Sequence, residues 1–178
     1  MKIMKEIEKK QRGFTLIEFM VVIALIGLGL VLVVTQFGQA NEANRTSTAI
    51  KNITSLAGGI SSFKGTRTGY TGLSAGGLLA TNAVPDNMLG TANQITNVFG
   101  GAVTLAAAAD TNQYTMTYAT VPVASCVEIA SRVNSSFVSV TVTGGTAGTA
   151  GQITSLSIAN TECNAPGTAT VSMVFTGS

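Results

Sequence analysis

Apolar residues are gathered at the front of this chain and follow two different rhythms behind it. From position 14 to position 34 only Thr15 and Glu18 interrupt side chains that lipid would accept. A helix of roughly 21 residues measures about 31 Å, enough to cross the hydrocarbon core of a bilayer, so the run predicts a membrane-spanning helix. Past Val34 the pattern narrows to one stripe. Ile50, Ile53, Leu56, Ile60 and Phe63 recur at spacings of three and four, which marks an amphipathic helix that lays one face on a sheet. Gly65 and the Gly69-Tyr70 region end it. Residues 65–98 read as a long connection, with a short helix over 74–82 capped by Ser74 and a turn at Val84-Pro85-Asp86-Asn87.

The rhythm then shifts toward a period of two. Residues 99–107 and 113–119 are apolar and β-branched enough for a hairpin, joined by Asp110-Thr111-Asn112. Pro122 suits a helix start, and residues 123–133 have helical spacing, with Val123, Cys126, Val127 and Ala130 on one side. In 137–143, Phe137, Val138, Val140 and Val142 are set against Ser139, Thr141 and Thr143. Residues 144–151 form a Gly-rich loop, and 152–159 and 168–176 supply two further strands. Ile153, Leu156 and Ile158, then Val171, Met173 or Val174, and Phe175, provide their apolar faces. Strands that follow a helix instead of alternating with helices predict an α+β fold. A long N-terminal helix, apolar in its first half and amphipathic in its second, packs on a largely antiparallel sheet.

Charge changes this picture only near the N-terminus. Lys2, Lys5, Lys9, Lys10 and Arg12 precede the apolar run and favour a cytoplasmic N-terminus. Without the first 13 residues the chain keeps five basic against six acidic side chains, a formal −1. No global basic bias is left, so no specific nucleic-acid partner is expected. Glu18 is the anomaly. A carboxylate inside such a run costs roughly 2.5–3.5 kcal/mol on insertion scales, so it needs a partner.

Gly13-Phe14-Thr15-Leu16-Ile17-Glu18 at the head of an apolar helix resembles the class III signal of type IV prepilins. The resemblance implies a leader of residues 1–13, cut between Gly13 and Phe14 by a membrane-embedded prepilin peptidase, followed by N-methylation of Phe14. It also implies that Glu18 meets the N-terminal amine of Phe14 on a neighbouring subunit. Opposite charges paired in a low-dielectric bundle offset each other's desolvation, while a register that leaves Glu18 alone is penalised. Two departures from the type IVa pattern favour the type IVb branch: the leader is long, and Thr35 stands about where type IVa pilins carry a proline. Gly69-Tyr70-Thr71-Gly72-Leu73, Ala83-Val84-Pro85 with Met88, and Asn97-Val98-Phe99-Gly100-Gly101-Ala102-Val103 resemble type IVb major pilins of the conjugative thin-pilus kind. In that family the connection 65–98 packs between subunits.

The resulting plan is a leader 1–13, a transmembrane and assembly helix 14–35, an amphipathic helix 36–64, a connection 65–98 and a β-rich part 99–178, in a pilin fold. Gly27 and Gly29 are soft points in the first helix. They serve either bending and local unwinding during assembly or close helix approach in lipid. Cys126 and Cys163 are the only cysteines. In an exported domain they read as one disulfide bounding 126–163, the alternative being two buried free thiols.

Several chemistries are excluded. The chain has no histidine, which removes Ser-His triads, Cys-His dyads and histidine metal sites, and two thiols cannot make a four-thiolate site. No catalytic, metal or cofactor constellation is expected. Gly144-Gly145-Thr146-Ala147-Gly148 lacks the Gly-Lys-Ser/Thr of a phosphate loop. The sequons at Asn44, Asn52 and Asn134 are chance matches in an Asn/Thr-rich chain. Glu42, Asp86, Asp110, Glu128 and Glu162 show no motif spacing, and solvated surface is the expected role for most. Tyr70, Tyr114 and Tyr118 are expected to pack in the core.

The function that follows from the resemblance is that of a major structural subunit of a type IVb pilus. Such a subunit is held in the inner membrane by a single pass before assembly and is extracellular after it. Implied partners are other copies of the chain, the prepilin peptidase/methyltransferase, an assembly ATPase and an inner-membrane platform. Competing expectations are a pseudopilin of a type II secretion system and a minor or tip pilin in adhesion or DNA uptake. Outside the family stand a plain signal anchor and a secretory signal peptide cut after Gly38-Gln39-Ala40.

Overall fold

The computed structural model describes residues 15–65, 67–143, 151–153, 155–164 and 168–178. Helix α1 covers Leu16–Lys64. The chain divides into two compact units at Ala40 and Asn41, and α1 contributes to both. In the second unit the expected stripe is the buried face of α1. Ala49, Ile53, Leu56 and Ile60 are fully buried, and Ile50 and Phe63 are partly so. Lys64 in the last turn complements the helix dipole, and Gly65, at φ +44°, takes the left-handed conformation that stops the helix.

A short helix α2 (Ala75–Leu79) follows, with the Ser74 hydroxyl accepting from the Gly77 amide at 3.2 Å. It is shorter than the 74–82 expected, because Asn82 adopts φ +52° and turns the chain away. The turn after Val84 is a single 3-10 turn, Asp86–Met88. Among the described residues six strands then form one sheet: β1 (Ile95–Thr96), β2 (Ala102–Ala107), β3 (Tyr114–Pro122), β4 (Ser139–Thr143), β5 (Gly151–Gln152) and β6 (Thr170–Gly177). Their order is β1-β2-β3-β6-β4-β5, and every neighbouring pair is antiparallel. The α+β expectation, a long N-terminal helix with an antiparallel sheet, is the observed class.

The last strand lies in the middle. Met116, Phe175 and Val140 are cross-strand neighbours, as are Tyr118, Met173 and Val142, and all six are fully buried. They join Ile53, Leu56 and Ile60 of α1 in one core cluster. The Tyr118 and Phe175 rings meet edge-on at 6.0 Å. Strand β2 begins at Ala102, later than the expected 99. Asn97 holds the preceding loop, its Oδ1 accepting from the Phe99 and Gly101 amides at 2.9 and 3.0 Å and its Nδ2 donating to the Ala119 carbonyl at 2.7 Å. A Cβ at Gly101 would collide with that same carbonyl oxygen.

Helix α3 occupies Val123–Val133, as Pro122 and the spacing indicate. Its buried face is rotated from the one expected: Cys126 and Ala130 are buried, but with Ser125, Ile129 and Val133, while Val123 and Val127 are only partly covered. In β4, Val140 and Val142 point inward, whereas Val138, ahead of the strand, is exposed.

One expectation is overturned. Residues 152–159 are not a strand: β5 ends at Gln152, and Leu156–Cys163 is helix α4. The Ser155 hydroxyl accepts from the Ile158 amide at 3.3 Å and caps it. Ala159 and Cys163, one turn apart, face inward, while Leu156 and Ile158 are exposed. The expected loop 144–151 lies outside the described residues except for Gly151, which belongs to β5.

Among the described residues no helix is long and apolar enough to cross a membrane. The expected span over 14–35 begins at Phe14, which lies outside them together with Gly13 and the rest of the leader.

Candidate functional site

The first unit contains a helix that is apolar on all sides. Leu16, Ile17, Phe19, Met20, Val22, Leu25, Ile26, Leu28, Leu30 and Val31 are each at least 41% exposed, and at 100° per residue they leave no side of the helix without an apolar side chain. Such a helix is stable only when lipid or other helices surround it. Thr15 opens it. Its hydroxyl accepts from the Glu18 amide at 3.3 Å and its carbonyl from the Phe19 amide at 3.1 Å. This is one half of a Thr-x-x-Glu capping box, a role for Thr15 that its spacing to Glu18 could have signalled. The Glu18 side chain stands in the first turn, where the helix dipole favours a carboxylate. The one ion pair among the described residues is Glu128–Arg132, at 2.9 Å, so Glu18 has no charged partner there. Gly27 and Gly29 have open space around them, since a Cβ at either would touch nothing within 4 Å.

In the second unit, α3 and α4 are joined by the Cys126–Cys163 disulfide, with both residues fully buried. Of the two readings left by the sequence, the bridge is the one present. Beside it an open hollow of about 540 Å³ is lined by Val127, Leu156, Ser157 and Asn160. The tyrosines are core residues, as expected. Tyr70 and Tyr114 stack edge-on at 5.0 Å, and the Tyr118 hydroxyl reaches the Met88 sulfur at 3.7 Å. Burial, with a smaller contribution from Tyr70, pushes the Tyr114 phenol up to about 12, and burial alone pushes Tyr118 higher still.

Where α1 enters the second unit, Glu42, a carboxylate without motif spacing, meets Thr46 and Ser125, which sequence reasoning passed over. Ser125 of α3 donates to Glu42 Oε1 at 2.9 Å, and Thr46 donates to Ser125 Oγ at 2.8 Å. Glu42 is half-buried and Thr46 fully so. Separations of 79 and 83 residues leave no local pattern from which this cluster could have been read.

Comparison with known proteins agrees with this geometry. Residues 9–34 match the prokaryotic N-terminal methylation motif, and residues 43–176 match the PilS N terminal family. The chain is 32% identical, over 126 residues, to the major structural subunit of bundle-forming pilus of Escherichia coli O127:H6, strain E2348/69. That alignment takes in 69% of this chain and 65% of the relative, so the chain spans less than two thirds of the relative's length. In structure it is similar to the type IV b pilin from Salmonella typhi, with TM-score 0.57 and 24% identity over 72% of this chain and 97% of that one. It is similar too to TcpA, a type IV pilin from Vibrio cholerae El Tor, with TM-score 0.57 and 16% identity over 76% and 99% of the two chains. These likenesses establish the fold, and the family matches at both ends of the sequence establish membership. The chain belongs to the PilS N terminal family and carries the prokaryotic N-terminal methylation motif ahead of it.

Proposed function

We propose that this chain is the major structural subunit of a type IVb pilus, polymerised through the first half of α1. One observation carries the reading: a helix apolar on every side and exposed along its length, interrupted near its start by a single carboxylate. Before assembly, lipid of the inner membrane covers that surface, and the basic leader keeps the N-terminus cytoplasmic. Prepilin peptidase cuts between Gly13 and Phe14, and Phe14 is N-methylated. On leaving lipid the helix buries its apolar surface against other copies. Glu18 pairs with the amine of Phe14 on a neighbour, because any other register leaves a desolvated charge unpaired. Gly27 and Gly29 let the helix bend as it transfers. The contact is heterologous and does not close, so it yields a fibre. An assembly ATPase acting through a membrane platform supplies the work.

The test is a Glu18→Ala variant expressed beside the wild type. The proposal expects normal leader cleavage and membrane insertion, with surface filaments reduced at least tenfold. Wild-type filament yield from that variant refutes the register mechanism. Short periplasmic polymers in place of sheared surface fibres in the wild type would favour a pseudopilin role.

A further inference from the structure

We infer that Glu42, Thr46 and Ser125 form a latch that holds the first two turns of the domain part of α1 against α3 and opens independently of the core. The direction of the bonds follows from proton supply. Each hydroxyl carries one proton, and the carboxylate can only accept. Ser125 gives its proton to Glu42 Oε1 at 2.9 Å, which leaves its oxygen to accept from Thr46 at 2.8 Å. The result is a chain of two hydrogen bonds that ends on a charge, the arrangement in which each bond strengthens the other. Thr46 Oγ1 also lies 3.0 Å from the Glu42 carbonyl, so an alternative acceptor on its own helix is ready when the latch opens.

The position of Ser125 adds a second attraction. It lies in the first turn of α3, whose N-cap is Pro122, a residue that offers no side-chain acceptor. The Glu42 carboxylate brings negative charge to that N-terminal turn from another element.

What lies around the latch explains why it opens separately. The apolar anchoring of α1 begins only at Ala49 and continues through Ile53, Leu56 and Ile60. Ahead of Ala49, residues Asn41, Ala43, Asn44, Arg45 and Ser47 are exposed, and the buried side chain of this stretch is the polar Thr46. A segment held by hydrogen bonds and little apolar contact is the kind that opens below the global unfolding free energy. Behind α3 the hold is rigid, because Cys126, adjacent to Ser125, is bonded to Cys163 of α4. The latch therefore sets how much of the domain part of α1 is held against α3. Opening it releases residues 41–48, roughly 12 Å of helix. In a filament under tension that is slack the subunit can supply without unfolding its core.

The filament consequence rests on the proposed function, but the test does not. Amide hydrogen exchange is measured on the full chain in detergent micelles, for the wild type and for Ser125→Ala, Thr46→Val and Glu42→Gln. Losing the bonds to the charged group is expected to speed exchange of amides 45–49 by about 10- to 100-fold in Ser125→Ala. Thr46→Val keeps the side-chain shape, and Glu42→Gln keeps one acceptor oxygen; both give smaller increases at the same amides. Amides 53–60 keep wild-type rates in all three. Unchanged exchange at 45–49 in Ser125→Ala and Thr46→Val overturns the latch. A uniform increase through residue 60 overturns it too, because the cluster would then be an ordinary part of the core. Failure of the chain to form filaments leaves the exchange result standing, and the reverse holds as well.

Discussion

Replacing Cys126 and Cys163 together by alanine removes the covalent tie between α3 and α4, and its cost can be worked from the chain. The two cysteines are 37 residues apart, and closing a loop of that length restricts the unfolded chain by about 4 kcal/mol on the chain-entropy model. A domain of this size is stable by roughly 5–15 kcal/mol, so the loss is a large fraction of the total. The structure indicates where the effect falls first. Of the eight residues of α4, only Ala159 and Cys163 are buried, so without the bond only methyl-sized side chains at 159 and 163 anchor the helix. Urea unfolding followed by circular dichroism reads the loss, with the slope allowed to rise because the uncrosslinked chain expands further. The expected destabilisation is about 3–4 kcal/mol, with α4 amides losing protection before those of β3 and β6. A loss under about 1 kcal/mol, or α4 as well protected as the central strands, refutes the view that the bridge holds this helix in place.

Other outcomes follow from single residues. Ala92 and Asn93 both lie at positive φ, +57° and +59°, in the turn closed by the Gln94 amide on the Thr91 carbonyl. A turn of that hand suits glycine, so Ala92→Gly should stabilise by about 0.5–1 kcal/mol in a thermal melt. With Tyr114 at about 12 against an unfolded value near 10, the unfolded chain releases its phenolic proton first. The stability owed to the buried phenol is full below pH 10 and is lost as pH rises toward 12, which tyrosinate absorbance and denaturation at matched pH will show. Gly27→Ala and Gly29→Ala meet no obstacle in the isolated chain and should stiffen the helix by up to about 1 kcal/mol each. If bending serves assembly, the double variant forms fewer filaments at equal subunit level; equal filament counts by electron microscopy remove that role.

Legibility in the sequence tracked how local each determinant is. The α1 stripe and the limits of α3 could be read because period and Pro122 act within one turn. The hairpin of β2 and β3 was readable for the same reason, with Asp110 closing the turn through its bond to the Asn112 amide. Helix α4 was hidden because Ile153, Leu156 and Ile158 imitate a strand, while the deciding features were the Ser155 cap and the distant Cys126. The place of β6 between β3 and β4 had no local sign, since it depends on which strands its Val171, Met173 and Phe175 meet. Within the candidate site, Glu18 announced itself as a charge in an apolar run. The Glu42–Ser125–Thr46 cluster did not, because a serine, a threonine and a glutamate far apart in sequence look like ordinary surface until the fold brings them together.

The central claim is that the apolar front of α1 stays on the working protein and builds the fibre. Mass spectrometry of material sheared from the cell surface tests it directly. The account predicts a polypeptide that begins at N-methylated Phe14 and is two hydrogens lighter than the reduced chain, for the Cys126–Cys163 cystine. A surface or secreted form that begins near Asn41, with the apolar helix removed, would contradict it.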